Sequence, residues 1–179
     1  DLNLDGRLDL AVTRTGFNMI FLLFGQSDGT FQPAPDVTVG SFPLADLVAG
    51  DFNGDDNPDV AVISGGAVAV AFGDGTGTLV PGPLMPVGNP GLSRLVRADF
   101  THDGADDLAM TAEDAPGNGY VALLINNGDG TFQTERKLRV GLPLAALAIG
   151  ELNDTNPGAE HLLGLPGDFS RLEGFPDGT

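Results

Sequence analysis

Side chains that carry oxygen recur at alternate positions where the chain begins. In the stretch DLNLDGRLDL, positions 1, 3, 5 and 9 are held by Asp1, Asn3, Asp5 and Asp9. Carboxylate and amide oxygens spaced in this way are the ligands that Ca²⁺ takes in protein loops. The same residue types also dominate ordinary turns, so a single copy leaves both interpretations open.

The motif returns three times, which identifies the chain as a repeat protein. Its copies DFNGDDNPDVAV, DFTHDGADDLAM and the degenerate ELNDTNPGAEHLLGL begin at Asp51, Asp99 and Glu151. The intervals between starts are 50, 48 and 52 residues (51−1, 99−51, 151−99). A second marker, Gly-Thr before a large apolar residue, keeps the same phase and ends at Phe31, Leu79 and Phe132.

The second and third copies repeat the oxygen-bearing positions. These candidate metal ligands are Asp51, Asn53, Asp55 and Asp59, then Asp99, Thr101, Asp103 and Asp107. Turn preference alone does not demand this register. Carboxylates about 4–5 Å apart repel each other by roughly 3–4 kcal/mol at an effective dielectric constant of 20. A cation in each of these loops is therefore predicted, giving two or three Ca²⁺ sites.

Other features limit this prediction. An EF-hand requires a bidentate Glu at position 12 and flanking helices, but that position is held by Val12, Val62 and Met110. The fourth copy has Glu151, Asn153, Thr155 and then Ala159 at position 9, so little or no metal is expected there. Thr101 is a weaker ligand than Asn or Asp. Asp56 replaces the glycine expected at position 6, although Asp tolerates a left-handed backbone better than most residues.

The elements around these loops are predicted to be strands. Short apolar runs such as DVAVI and AVAVAFG follow each loop, an apolar lead-in such as LADLVAGDF precedes it, and prolines recur too often for long helices. About four strands in each unit of roughly 50 residues is the pattern of propeller blades. The predicted fold is all-β, with four-stranded antiparallel blades.

AGDFNGDDNPDVAV and INNGDGTFQ resemble the FG-GAP/VCBS repeats, which form the blades of the integrin-α type β-propeller. The resemblance covers nearly the whole chain and implies a propeller of seven blades with a Ca²⁺ loop between the first two strands of many blades. It also implies a backbone carbonyl ligand at position 7, which here belongs to Arg7, Asn57 and Ala105.

On this basis residues 1–179 form a single propeller segment with units that start near residues 1, 51, 99 and 151. The first unit lacks its lead-in strand, and the last is cut before its final strand. Seven units need roughly 350 residues, so either the chain is part of a longer propeller or two copies close a ring, and the first is favoured because exposed end blades would be sticky edges.

Composition narrows the functional classes. With 25 acidic and 8 basic residues, the net charge of −17 argues against nucleic acid and anionic membranes as partners. The absence of Cys excludes disulfides and thiol catalysis. No apolar run is long enough to insert into a membrane, and no serine has a nearby His–acid pattern.

The predicted function is a non-catalytic, calcium-binding scaffold for adhesion or for recognition of a protein or glycan. It is expected to be secreted or exposed at the cell surface, since calcium-rich compartments permit weak sites. Two alternatives stay open. One is an accessory propeller domain of a secreted lyase or hydrolase, and the other is a carbohydrate-binding propeller, against which the low aromatic content counts.

Overall fold

The computed structural model describes residues 1–14, 16–41, 43–87, 91–115, 118–139, 144, 146–150, 160–165 and 168–172. All regular structure in these ranges is β, and every strand pairing is antiparallel. The chain divides into two compact units, Asp1–Pro90 and Gly91–Thr179. Each unit contains two sheets.

Sheet I opens the first unit. Its strands are β1 (Leu10–Thr13), β2 (Met19–Gly25), β3 (Phe31–Pro33) and β4 (Val37–Thr38). Strand β2 is central, with β1 on one side and both short strands β3 and β4 on the other. Burial alternates along the first half of β2, where Ile20 and Leu22 are fully buried. This alternation is typical of a strand with one face in the core.

Sheet II completes the first unit in the order β5-β6-β7-β8. Its strands are β5 (Leu44–Gly50), β6 (Asp59–Ser64), β7 (Ala67–Gly73) and β8 (Leu79–Pro86). Strand β6 is buried along its whole length, which explains its continuous apolar run in the sequence. One face of sheet II packs against Ile20 and Leu22 of sheet I, and together they form the core of the unit.

The second unit contains sheets III and IV. Sheet III has the order β12-β11-β10-β9, and sheet IV has the order β13-β14-β15. Their strands are β9 (Leu95–Ala98), β10 (Asp107–Glu113), β11 (Gly119–Leu124), β12 (Arg136–Arg139), β13 (Ala146–Gly150), β14 (Glu160–Leu165) and β15 (Asp168–Leu172). Val121, Leu123 and Ile125 lie in the core cluster of this unit, and Leu147 and Ile149 of sheet IV pack against it.

The outer strands are protected in two different ways. Strand β8 carries Pro81, Pro83 and Pro86, and its pairing with β7 contains a register shift. Proline is tolerated at a sheet edge, where it also blocks further pairing. Strand β12 instead carries Arg136, Lys137 and Arg139, three of the eight basic residues of the chain. Charged edges have the same protective effect.

These sheets confirm the predicted all-β class and the four-stranded antiparallel sheet, and a closed propeller stays a prediction. In the described part of the chain, no helix is both long enough and apolar enough to cross a membrane.

Candidate metal centre

The repeated acidic motif forms three loops at equivalent places in the sheets. Acidic loop 1 (residues 1–9) leads into β1, acidic loop 2 (residues 51–59) joins β5 to β6, and acidic loop 3 (residues 99–107) joins β9 to β10. Position 9 of loops 2 and 3 is the first residue of a strand, because β6 begins at Asp59 and β10 at Asp107. The predicted fourth loop lies outside the described residues.

The backbone of the three loops turns in the same way. Positions 4 and 6 have positive φ angles in every copy: 56° at Leu4 and 84° at Gly6, 74° at Gly54 and 64° at Asp56, 59° at His102 and 92° at Gly104. Asp56 therefore adopts the left-handed conformation expected of the residue that replaces glycine. Leucine rarely adopts this conformation, which costs an L-residue roughly 1–2 kcal/mol.

The carboxylate at position 1 closes each loop. Its oxygens accept the backbone N–H groups of positions 5 and 6 in loops 1 and 3, for example Asp5 N–H to Asp1 Oδ1 at 3.0 Å and Gly6 N–H to Asp1 Oδ2 at 2.8 Å. In loop 2 the N–H of Asp56 donates to Asp51 Oδ2 at 2.8 Å. This pattern orders the loop around the first ligand candidate.

Positions 3 and 5 extend the pattern. The position-5 carboxylate accepts the N–H of position 7 in all three loops, at 2.8 Å from Asn57 to Asp55 Oδ1 in loop 2. Asn53 Oδ1 accepts the N–H of Asp55, while its amide nitrogen donates to Asp55 Oδ2 at 3.0 Å. The N–H of Asn57, followed by the Asn53 amide, lowers the pKa of Asp55. Loop 1 differs because the Arg7 guanidinium pairs with the second oxygen of Asp5.

The aspartate at position 9 links the loop to the end of a neighbouring strand. In loop 2, Asp59 Oδ2 accepts the N–H of Phe52 at 2.8 Å, and Asp59 Oδ1 accepts the N–H of Gly73 at 2.8 Å. Asp9 and Asp107 make the same two bonds. Asp59 and Asp107 are completely buried, and we call these three residues the clip aspartates.

Burial and neighbouring charge act together on the clip aspartates. Desolvation is the main reason that the pKa of Asp59 is raised, against the lowering effect of its two N–H donors. The carboxylates of Asp55 and Asp51 raise it further. Asp107 has a raised pKa for the same reasons. Positions 1, 5 and 9 therefore form one repulsive acidic cluster in each of these two loops.

The clip also explains why glycine is the last residue of β2 and of β7. A Cβ atom at Gly25 would collide with the carbonyl of Leu8, and one at Gly73 with the carbonyl of Pro58. Sequence reasoning missed this clip, although the recurring Phe-Gly at the ends of β2 and β7 was a signal. In the third repeat the clip partner is Asn126 instead of glycine, and its side-chain amide donates to the carbonyl of Asp106 at 3.1 Å.

A Gly-Thr pair forms the next turn in the first three repeats, and in the second repeat the pair is Gly75-Thr76, which directly precedes the marker ending at Leu79. Asp28, Asp74 and Asp129 each accept the N–H and the hydroxyl of the threonine two residues later. In sheet II this turn packs against acidic loops 1 and 2. A Cβ at Gly75 would approach Asn57 and Leu4, and one at Gly77 would collide with the ring of Phe24.

The side chains at positions 1, 3, 5 and 9 offer carboxylate, amide or hydroxyl oxygens, which are the ligands that hard cations take. Within the described residues, however, no group of three or more Asp, Glu or His side chains is arranged to hold a metal ion. The candidate oxygens instead accept amide protons of their own loops. His102 is exposed within acidic loop 3, and the side chain of His161 lies outside the described residues.

The two matches to a known family begin at the first residues of the first and second repeats. The model of the FG-GAP-like repeat matches residues 1–62 and again residues 51–110, so it covers 110 of the 179 residues. The chain belongs to the FG-GAP-like repeat family. No curated protein sequence matches this FG-GAP chain significantly.

Among solved structures, the FG-GAP chain is similar to an Agrocybe aegerita lectin described as recognising non-reducing terminal N-acetylglucosamine. The two share 21% identity at a TM-score of 0.59, over 97% of this chain and 50% of the lectin chain. A second match, the mutant Tc holotoxin pore of Photorhabdus luminescens, has 19% identity and a TM-score of 0.48, over 89% of this chain and 8% of the other. The first supports the fold alone, and the second is too weak for an argument.

Proposed function

We propose that this chain is a calcium-stabilised, non-catalytic FG-GAP scaffold that recognises a protein or glycan outside the cell, as part of a propeller of seven blades. The observation that carries the calcium proposal is the equivalence of the three acidic loops. Each has side-chain oxygens at positions 1, 3, 5 and 9, left-handed residues at positions 4 and 6, and the same clip at position 9.

The residues that would hold the cation are the oxygen-bearing side chains at positions 1, 3, 5 and 9, with the carbonyl oxygen of position 7 that the family resemblance implies. Bound Ca²⁺ would supply positive charge to the acidic cluster. That charge is needed most beside Asp59 and Asp107, whose pKa values are raised by burial and by neighbouring carboxylates. Because a cation that binds only the folded state stabilises it by mass action, calcium is expected to raise the melting temperature.

A calorimetric titration of chelator-treated protein with Ca²⁺, with thermal melts alongside, tests this proposal. Two or three sites and a rising melting temperature are expected. Asp55→Ala should remove one site, because it deletes the position-5 ligand of acidic loop 2. The variant should still fold, because Asp55 is exposed and the clip stays intact. Asp36→Asn is the matched control, since it removes one exposed negative charge outside the acidic loops.

Two results would overturn the calcium proposal. One is a chelator-treated protein that is folded and neither binds nor is stabilised by Ca²⁺. The other is an equal loss of binding in Asp55→Ala and Asp36→Asn, which would indicate general attraction to the acidic surface. In either case the loops would be acidic turns held by their own amides.

The non-catalytic assignment is supported by two buried hydroxyls, those of Ser64 and Thr111. Ser64 Oγ donates to the carbonyl of Ser41 at 2.5 Å and accepts the Ser41 N–H at 2.6 Å. Ser93 and Thr111 bond to each other at 2.8 Å. These bonds tie β6 and β10 to the residues that precede β5 and β9, so both hydroxyls fit a structural role.

Glycan recognition is the second candidate, favoured by the structural similarity to the Agrocybe aegerita lectin. At 21% identity that similarity speaks for the fold, so the sugar itself requires a direct test. A glycan array probed in the presence of Ca²⁺ should give discrete binders if the candidate is correct. An array without binders would exclude it and leave a protein partner.

A further inference from the structure

Three asparagines of the chain are followed directly by glycine: Asn53, Asn118 and Asn127. Such a pair can react with itself, because glycine has no Cβ to shield its backbone nitrogen. That nitrogen loses its proton and attacks the side-chain carbonyl carbon of the asparagine. The new N–C bond closes a five-membered imide, the C–Nδ2 bond breaks, and ammonia leaves with the proton. Water then opens the ring to aspartate or isoaspartate, so the net reaction exchanges an amide and a water for a carboxylic acid and ammonia.

In a folded protein, the rate of this reaction depends on whether the reacting groups are free to meet. The asparagine side chain must rotate until its carbonyl carbon touches the nitrogen of the next residue. Hydrogen bonds that fix the side chain or the glycine N–H oppose this rotation. A pair held in this way reacts only from locally opened states, which become rarer as the free energy of opening rises.

Asn53, at position 3 of acidic loop 2, is held at every reacting group. Its Oδ1 accepts the N–H of Asp55 at 3.1 Å, and its Nδ2 donates to Asp55 Oδ2 at 3.0 Å. The N–H of Gly54 donates to Asp51 Oδ1 at 2.8 Å. The reaction therefore requires these bonds to break and acidic loop 2 to open at its centre.

Asn127 is held in a similar way in the turn that follows β11. Its Nδ2 donates to the hydroxyl of Thr131 at 2.8 Å, and its backbone N–H donates to the Thr131 carbonyl at 2.9 Å. The N–H of Gly128 donates to the side-chain oxygen of the buried Asn126 at 3.0 Å. The leaving amide and the attacking nitrogen are thus both engaged, although Asn127 itself is exposed.

Asn118 lies in the β10–β11 hairpin and is held by its backbone. Its N–H donates to the carbonyl of Ala115 at 2.9 Å, and its carbonyl accepts the N–H of Asp114 at 3.2 Å. The residue is exposed, and its side chain makes no hydrogen bond among the contacts of the described residues. Gly119, which supplies the attacking nitrogen, is the first residue of β11. The reaction therefore disturbs only the beginning of this strand.

We propose that Asn118 is the site at which the folded chain deamidates, and that their hydrogen bonds protect Asn53 and Asn127. The new carboxylate lies across the turn from Asp114, whose side chain pairs with Arg139 of β12 at 2.6 Å. One event changes the net charge from −17 to −18 (−17 − 1). Folded protein is therefore expected to age into a form that carries one more negative charge.

The test compares each asparagine with itself in the folded and the unfolded chain. The protein is incubated in mildly alkaline buffer with and without guanidinium chloride. Tandem mass spectrometry of its peptides follows each site, and anion exchange follows the more acidic form. Folding should slow Asn53 and Asn127 by about tenfold or more, which corresponds to about 1.4 kcal/mol of opening free energy, and Asn118 by less than about threefold.

Three variants separate the effects of sequence and hydrogen bonding. Asn118→Gln, whose longer side chain cannot form the five-membered ring, should remove most of the acidic form. Thr131→Val removes the hydroxyl that holds the Asn127 amide, so folded-state deamidation at Asn127 should rise severalfold while that at Asn118 stays unchanged. Thr30→Val makes the same change in the equivalent turn of the first repeat, and it should leave the rate at Asn127 unaltered.

Three outcomes would overturn the proposal. The first is an Asn118 that folding slows as much as Asn53. The second is an equal ratio of folded to unfolded rates at all three sites, which would show that the hydrogen bonds give no protection. The third is a Thr131→Val variant in which Asn127 reacts no faster than in the unmodified chain, or no faster than in Thr30→Val.

Discussion

Acidic loops 1 and 2 share their residue pattern, left-handed backbone and clip, but they differ in their surroundings. Loop 2 lies between two paired strands, and its clip aspartate Asp59 is fully buried. Loop 1 leads into the edge strand β1, and its clip aspartate Asp9 is only half-buried. In loop 1, Asp5 also pairs with Arg7, whereas Asp55 has only amide donors among its described contacts.

This difference shows that the same hydrogen bonds have different energetic consequences in different environments. Burial raises the pKa of Asp59 even though two N–H groups stabilise its charge. The bonds of a buried clip also cannot be replaced by water. The contribution of each loop therefore depends on the sheet around it as well as on its own residues.

The largest expected effect comes from removing the clip aspartates. Asp59→Ala leaves the N–H groups of Phe52 and Gly73 buried without their acceptor, at about 1–3 kcal/mol for each group. A loss of roughly 3 kcal/mol is expected in urea unfolding without calcium, against about 1 kcal/mol for Asp9→Ala, where water can reach the site. The stability loss of Asp59→Asn, which keeps one oxygen acceptor, should lie between those of Asp59→Ala and Asp9→Ala. Equal losses for the two alanine variants would contradict this comparison.

The second effect concerns position 4, which is Leu4 in loop 1 and Gly54 in loop 2. Both have positive φ angles, of 56° and 74°. Gly54→Leu should cost about 1–2 kcal/mol because it places a side chain in the left-handed region. Leu4→Gly should recover part of that amount, less the contact of Leu4 with the turn at Gly75. Chemical denaturation of both variants measures the difference, and a neutral Gly54→Leu would show that backbone strain does not distinguish the loops.

A third, smaller effect should separate the loops by cation affinity. Arg7→Ala removes a positive charge from beside the second oxygen of Asp5, which keeps its bond from the Asn3 amide, so loop 1 should bind Ca²⁺ more tightly in calorimetry. Because the ion pair is exposed, stability without calcium should change by less than about 1 kcal/mol. Arg14→Ala, which removes a positive charge outside the loop, is the control. An unchanged titration would indicate that Arg7 does not compete with the cation.

The smallest effect is a change in acid sensitivity at the turns of sheets I and II. Hydrogen bonds from Thr30 and Thr76 lower the pKa of Asp28 and Asp74, respectively. A lowered folded-state pKa contributes stability above the unfolded value, near 3.9, which is lost as pH falls through the folded-state pKa. Asp74→Asn should reduce this acid-side loss in unfolding curves measured between neutral and acid pH. A pH profile identical to that of the unmodified chain would contradict the assignment.

Much of the architecture could be predicted because it depends on local pattern and repetition. The apolar runs beginning at Asp59 and Ala67 form paired strands as expected, and Asp56 takes the left-handed turn. The clip was missed, since it joins Asp59 to Gly73 across a strand pairing and the recurring Phe-Gly is only an indirect signal of it. Exposure was equally hidden, because Leu10 and Val60 occupy the same repeat position and only packing distinguishes them.

The clips have a consequence for how the polypeptide acquires its structure. Each joins residues only 14–19 positions apart, such as Asp59 to Gly73 and Asp107 to Asn126. Contacts of such short sequence separation form early and quickly, and domains begin to fold during synthesis. Each hairpin can therefore be closed by its own aspartate as it leaves the ribosome, before the strands of the next unit have been made.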